Sequence, residues 1–494
     1  MTNPLFAKKP LKQLLEEMAG ENRLRRVLGP VQLTALGVGA IIGAGIFVAT
    51  GKAAHNVAGP ALMISYVVAG MTCVFAALCY AEFASMVPVA GSAYTYAYAT
   101  LGELFAWIIG WDLVLEYAVG SATVANGWSS YFQTLLPHDW LPPALSKAPI
   151  VFDEMTKTFV RTNGIVNLPA VVIVVIVTAV LVKGISESAR FNATMVAVKL
   201  AAVLFVIGVG AFFIDSNNWS NFAPFGWGGM NVMGKPIFGG SAGQGMLAGA
   251  AIIFFAYIGF DSVSTHAEEA KVPKRDVPIG IIASLLICTV LYIAVVAVLT
   301  GMQRYDQIDV GAGVSTAFQS VGLPWAKVLI SIAGVAGITS VLLVMMLSGP
   351  RVFLAMARDG MVPKGFFGDV HPRFRTPWKT TILIGAVVAL GTGLLPIDAL
   401  LEMTNIGTLF AFAIVCIAVL VMRRTNPGAE RPFRCPWVPL VPILGIVCCL
   451  VLMLSLPKEN WYRLFGWLAI GLVIYFLYSR HHSALRKSAA NRPA

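Results

Sequence analysis

GVGAIIGAGIFVATG, residues 37–51, reads as part of a membrane span that cannot be one regular helix. The run from Val31 to Gly51 carries no charge until the lysine that follows it, and it is long enough to cross about 30 Å of hydrocarbon. Five of its last fifteen residues are nevertheless glycine, and each glycine weakens a helix by about 1 kcal/mol. Unwound backbone is tolerated inside a bilayer only where protein buries it or a cavity lines it, because lipid offers no hydrogen bonds. A break around residues 42–45 therefore predicts a cavity. The half-helix restarting there presents free N–H groups and a positive dipole end to an anionic group such as a carboxylate. Taken alone, the stretch has an equal alternative: Gly39 and Gly43 form a small-xxx-small pair that lets two intact helices pack closely.

A second interrupted span favours the break. In GAAIIFFAYIGFDSVST, residues 249–265, the apolar run is cut by Gly259 and then by Asp261 and Ser262, residues suited to capping a new half-helix. Paired interruptions at corresponding places in two halves of a chain are the sequence pointer to a transporter's binding site.

The rest of the 494 residues is membrane protein throughout: 57% are hydrophobic, 12% are charged, and the mean hydropathy is +0.78. The apolar pattern gives twelve spans, at about 31–51, 60–86, 104–131, 165–182, 193–214, 246–265, 279–300, 327–349, 380–395, 399–422, 437–456 and 461–479. Most of the 35 Lys and Arg residues fall in loops on the side of the termini, which predicts cytosolic termini in the cell (plasma) membrane. That spread also accounts for the net charge of +11 without nucleic acid, which needs basic residues gathered on one soluble face. The seven cysteines form no CxxC pair and have no accompanying histidines, so no metal, cofactor or disulfide framework is expected.

Charged residues at membrane depth are functional candidates. Glu116, in WDLVLEY, reads as the only carboxylate well inside the third span. Lys199 stands alone in the apolar fifth span, about 13 Å past Arg190, too deep to reach an interface easily. Glu82 reads as interfacial, Pro88 and Gly91 as a tight connection, and residues 225–245 as a flexible glycine-rich lid. EEAKVPKRDVPIG, residues 268–280, reads as a solvated, rigid turn. Met345 and Met346 offer an adaptable pocket wall.

Six segments in order, YAEFASMVPVAGSAYTY (80–96), GWDLVLEY (110–117), NFAPFG (221–226), FFAYIGFDSVST (254–265), EEAKVPKRDVPIG and PRVFLAMARDGMVP (350–363), resemble the amino acid–polyamine–organocation superfamily, most closely its cationic amino acid transporter branch and bacterial permeases. The resemblance implies an all-α membrane protein with the leucine-transporter fold: twelve transmembrane helices in a 5+5 inverted repeat, helices 1 and 6 broken at mid-membrane. Its divisions are a cytosolic arm (1–30), two repeats (31–214 and 215–424), two appended helices (425–480) and a cytosolic tail (481–494). It further implies that the N–H groups of Gly43, Ala44 and Gly45 hold a substrate carboxylate, and that carbonyls near Ile41, Phe254, Ala256 and Ile258 meet its ammonium. Phe255 or Tyr257 is then the gate, and Lys199 occupies the place of an ion in sodium-coupled relatives. The expected function is proton symport of L-amino acids, with exchange or uncoupled transport as the alternative; a small accessory membrane subunit is left open. Glu116 and Asp261 suit a basic side chain, while Met345 and Phe255 suit small neutral ones, and the balance leans to neutral or broad specificity. An intramembrane enzyme is disfavoured because there is no HExxH and His481 and His482 lie beyond the last span. A channel is disfavoured by the paired breaks.

Overall fold

The computed structural model describes residues 4–10, 28–86, 92–137, 140–153, 158–184, 189–232, 235–237 and 243–490. The connection expected at Pro88 and Gly91 and most of the arm 1–30 lie outside them. The described chain is almost entirely helical, with only two short antiparallel hairpins, Ile150–Asp153 with Thr158–Arg161 and Met230–Val232 with Lys235–Ile237. The second hairpin falls within the glycine-rich run read as a flexible lid.

Among the described residues, eight helical stretches are long and apolar enough to cross a membrane, and Leu168–Lys183, Trp378–Leu394 and Leu440–Ser455 are shorter apolar helices. The first stretch, Pro30–Met86, has 57 residues, more than one 30 Å crossing can use. It is interrupted at Gly59, where φ is +59° and a Cβ would stand 2.5 Å from the Pro224 ring, so only glycine fits. The chain is a multi-pass membrane protein.

Two helices are longer than the sequence suggests. Pro273–Met302 begins inside the segment read as a turn: Pro273 lacks only an N–H that the first helical position leaves unbonded anyway, so it starts the helix. Pro324–Arg358 runs on through Pro350, so Arg351 and Arg358 are helical residues.

One end of the molecule gathers both termini. Lys9 pairs with Asp359 (3.0 Å), Arg486 with Glu103 (2.9 Å), and the Ser479 hydroxyl donates to the Met361 carbonyl (2.6 Å). Glu82 is buried between Arg423 (2.7 Å), in the last turn of its helix, and Arg431 (3.2 Å), in the loop that follows, and accepts from the Cys435 amide. An acid so placed has its charge fully matched, which is what permits its burial.

Candidate functional site at two broken helices

The helix Pro30–Ile41 ends where Ile42 turns extended (φ −71°, ψ 108°), its amide making the last helical bond to the Val38 carbonyl (2.9 Å). The chain resumes as wide turns over Gly45–Ala49. A continuous helix would pair the Gly43 amide with the Gly39 carbonyl. Here the Gly39 carbonyl instead accepts from Lys199 Nζ at 2.5 Å, and among the described residues the Gly43 amide has no backbone acceptor. Lys199 is fully buried, and its stem packs on Gly337 of the helix Pro324–Arg358, so this one side chain joins three elements.

The second break follows the helix Met246–Ile253, which tightens into a 3-10 turn over Phe254–Tyr257. Ile258 is extended and Gly259 has φ +121°, a conformation that glycine adopts without cost. A short helical turn, Ser262–Thr265, follows. Asp261 holds the expected N-cap position but makes no capping bond; its carboxylate turns back to accept from the Gly259 amide (3.2 Å). The Ser262 hydroxyl donates to the Gly259 carbonyl (2.6 Å).

The two breaks touch. A Cβ on Gly45 would lie 2.2 Å from the Ala256 Cα, and one on Gly259 would lie 2.8 Å from the Ala40 carbonyl oxygen. Each break thus carries a glycine because the other break's backbone occupies the space. Side chains of neighbouring helices satisfy the freed carbonyls. The Tyr292 hydroxyl reaches both Ile41 O (2.9 Å) and Ala256 O (3.1 Å), bridging the breaks. Asn405 Nδ2 donates to Ala251 O (3.0 Å) and Ile252 O (2.8 Å), and Tyr131 donates to Phe47 O (2.8 Å).

Of the expected site residues, Gly45 is thereby brought against Ala256, Ile41 is linked to Ala256 through Tyr292, and Gly43, Ala44 and Ile258 are buried beside them in the chain. Phe254 packs edge-on to Phe412 (5.6 Å). Tyr257 donates to Tyr66 O (2.8 Å) and packs against the Tyr66 and Tyr292 rings, while Phe255 is buried without such a tether. Met345 packs against Gly120, and it is Val341, one turn earlier, that faces Gly43: its Cγ2 stands 2.5 Å from where a Gly43 Cβ would be. Glu116 is buried near Asp261 and Asp112, and both its oxygens lack a hydrogen-bond partner among the described residues. It is not the only carboxylate inside its span. Asp112, four residues earlier on the same face, is equally buried and unpartnered, and lies against Gly407.

Sequence reasoning missed Tyr292, Asn405, Val341 and Asp112. Only Asp112 left a signal, its i, i+4 spacing from Glu116 in an otherwise uncharged run. As a whole the arrangement offers amides and a dipole end to an anion on one side, and carbonyls and acids to a cation on the other, in a site closed to water.

Comparison with known proteins identifies the family. The model of the family described as "Amino acid permease" matches residues 28–476. The branched-chain amino acid permease BcaP of Bacillus subtilis (strain 168) is 47% identical over 99% of this chain and 100% of that protein. The methylthioribose transporter of the same organism is 45% identical over 98% of this chain and 99% of that protein. The vacuolar cationic amino acid transporter 4 of Arabidopsis thaliana is 38% identical over 83% of this chain and 65% of that protein. With a buried site between two broken membrane helices and a family match over most of its length, the chain belongs to the amino acid permease family of the amino acid–polyamine–organocation superfamily, and is a membrane transporter, not an enzyme.

Proposed function

We propose that the chain is a secondary active transporter that takes L-amino acids across the cell membrane by alternating access, driven by proton symport. Its twelve spans form a leucine-transporter fold, with repeats at 31–214 and 215–424 and cytosolic termini. The observation that carries this reading is the pair of facing breaks, with the Gly43 amide open on one side and the Ile41 and Ala256 carbonyls converging on the other.

In this mechanism the substrate carboxylate binds the amides of Gly43, Ala44 and Gly45, where hydrogen bonds to a charged acceptor are at their strongest. The ammonium meets the carbonyls of Ile41, Ala256 and Ile258, displacing the Tyr292 hydroxyl from one of them, with Phe254 O at the edge. Phe255 closes the site, since Tyr257 is held elsewhere by Tyr66. Val341, Met345 and Phe255 give the side-chain compartment apolar walls, favouring neutral substrates, and Glu116 and Asp261 stand behind them. Lys199 ties the first broken helix to the helix Pro324–Arg358 when protonated; losing the proton removes the charge that strengthens its bond to the Gly39 carbonyl and biases the bundle towards its other orientation.

A thiosugar, as in the name of one relative, brings neither carboxylate nor ammonium to these groups. Competition therefore tests the reading: labelled leucine bound to the purified chain is displaced by unlabelled amino acids and not by leucinol or methylthioribose. Displacement by methylthioribose, with amino acids inert, contradicts it.

A further inference from the structure

The segment EEAKVPKRDVPIG takes no part in the site. Its second half forms the first turns of the helix Pro273–Met302. The Leu28 amide donates to Glu269 O (3.0 Å) and the Lys271 amide to Leu28 O (2.8 Å), so these turns belong to the end of the molecule that holds the N-terminal segment. Along one face of the helix runs an open groove of about 410 Å³. Ile279, Ile282 and Leu286 form one wall, Phe433 stands opposite, and Lys274 and Arg275 stand at its head.

The dimensions and charges point to one kind of occupant. Arg275 and Leu286 are eleven residues apart, about 16 Å along a helix, close to half of the roughly 30 Å hydrocarbon core and hence to one leaflet. Ile279 and Leu286 are 42% and 50% exposed, as lipid-facing groups should be. At the head, Lys274 reaches Glu430 at 2.8 Å, but both side chains are exposed (57% and 81%), and a bridge of this kind is worth at most about 1 kcal/mol. Among the described residues Arg275 uses only Nε on Asp276 (3.0 Å), leaving the outer face of its guanidinium to a further acceptor. The positive end of the helix dipole lies in the same turn. A neutral lipid would fill the groove and leave Lys274 and Arg275 with only their exposed or one-sided contacts to Glu430 and Asp276.

We propose that the groove binds one anionic glycerophospholipid, its acyl chain along Ile279, Ile282 and Leu286 against Phe433 and its phosphate between Lys274 and Arg275. The test is native mass spectrometry of the full chain titrated with dioleoylphosphatidylglycerol or dioleoylphosphatidylcholine, which share their chains and differ in charge. Phosphatidylglycerol binds more tightly to the wild type, and Lys274→Gln with Arg275→Gln weakens it about tenfold or more, to the level of phosphatidylcholine. A control pair, Lys364→Gln with Arg373→Gln, leaves binding unchanged, and Ile282→Trp, which fills the groove, weakens both lipids. Equal affinity for the two lipids, an unaffected Lys274/Arg275 variant, or an equal loss in the control pair overturns the proposal. So does displacement of the lipid by glycerol 3-phosphate, which would mark an anion site without lipid recognition. Amino acid binding is not read at any point, so failure here is distinct from failure of the transport reading.

Discussion

The two breaks solve one problem with opposite chemistry. At the first, a helix stops within the bilayer, the carbonyl it leaves at Gly39 is taken by a buried lysine, and the Gly43 amide stays open. At the second, the carbonyls at Ala251 and Ile252 are taken by the neutral Asn405, while the acid Asp261 folds back onto Gly259 and Glu116 is buried nearby. Asn405 shows that a neutral donor can cap the carbonyls at the second break. A cation at the first break is better explained by what its charge can do than by the need for a donor, and the difference supports the proposal that this break binds an anion and couples to protons.

The comparison predicts unequal outcomes for the glycines. Gly45→Val drives a side chain into the Ala256 backbone, which cannot move aside, and should cost about 4 kcal/mol or more, read as loss of monodisperse protein. Gly43→Val meets only the Val341 side chain, so the protein should fold while amino acid affinity drops more than about tenfold through lost hydrogen bonds to the carboxylate. Val341→Ala in that background should recover thermal stability but not binding; recovery of both would show that the Gly43 amide is not a ligand.

Lys199→Ala should cost about 1–3 kcal/mol by leaving the Gly39 carbonyl unpaired, and should abolish pH-driven accumulation while substrate still binds. Lys199→Arg, which does not deprotonate in this range, should bind and fail to cycle. Met345→Ser should shift preference towards arginine or lysine over alanine by about tenfold; an unchanged profile for this variant and for Phe255→Ala would place the size limit on Val341 alone. The smallest effect is expected of Tyr292→Phe, about 1 kcal/mol in thermal stability with transport retained, because substrate carbonyl partners are then merely freed early.

What the sequence reveals follows from what is rare in a membrane span. Glycines clustered at residues 37–51, the Gly259–Asp261 interruption, the lone charge at Lys199 and the acid at Glu116 all contradict their surroundings and are visible one residue at a time. Tyr292, Asn405 and Val341 do not contradict theirs. A tyrosine or valine in an apolar run is ordinary, and its role comes from a contact with a segment 251 residues away in the case of Tyr292 and Ile41. The start of the helix at Pro273 is hidden because Pro, Lys, Arg and Asp compose a turn as readily as a first helical turn. The ion pairs of Glu82 are hidden because its partners Arg423 and Arg431 lie in a distant part of the chain.

The central claim, that the first break binds the amino acid and its lysine couples transport to protons, is tested most directly by uptake of labelled leucine into sodium-free proteoliposomes with an imposed inward proton gradient. The account predicts accumulation above equilibrium by the wild type, its collapse on adding a protonophore, and only equilibration by Lys199→Ala. Accumulation that ignores the gradient, or that persists in Lys199→Ala, contradicts it.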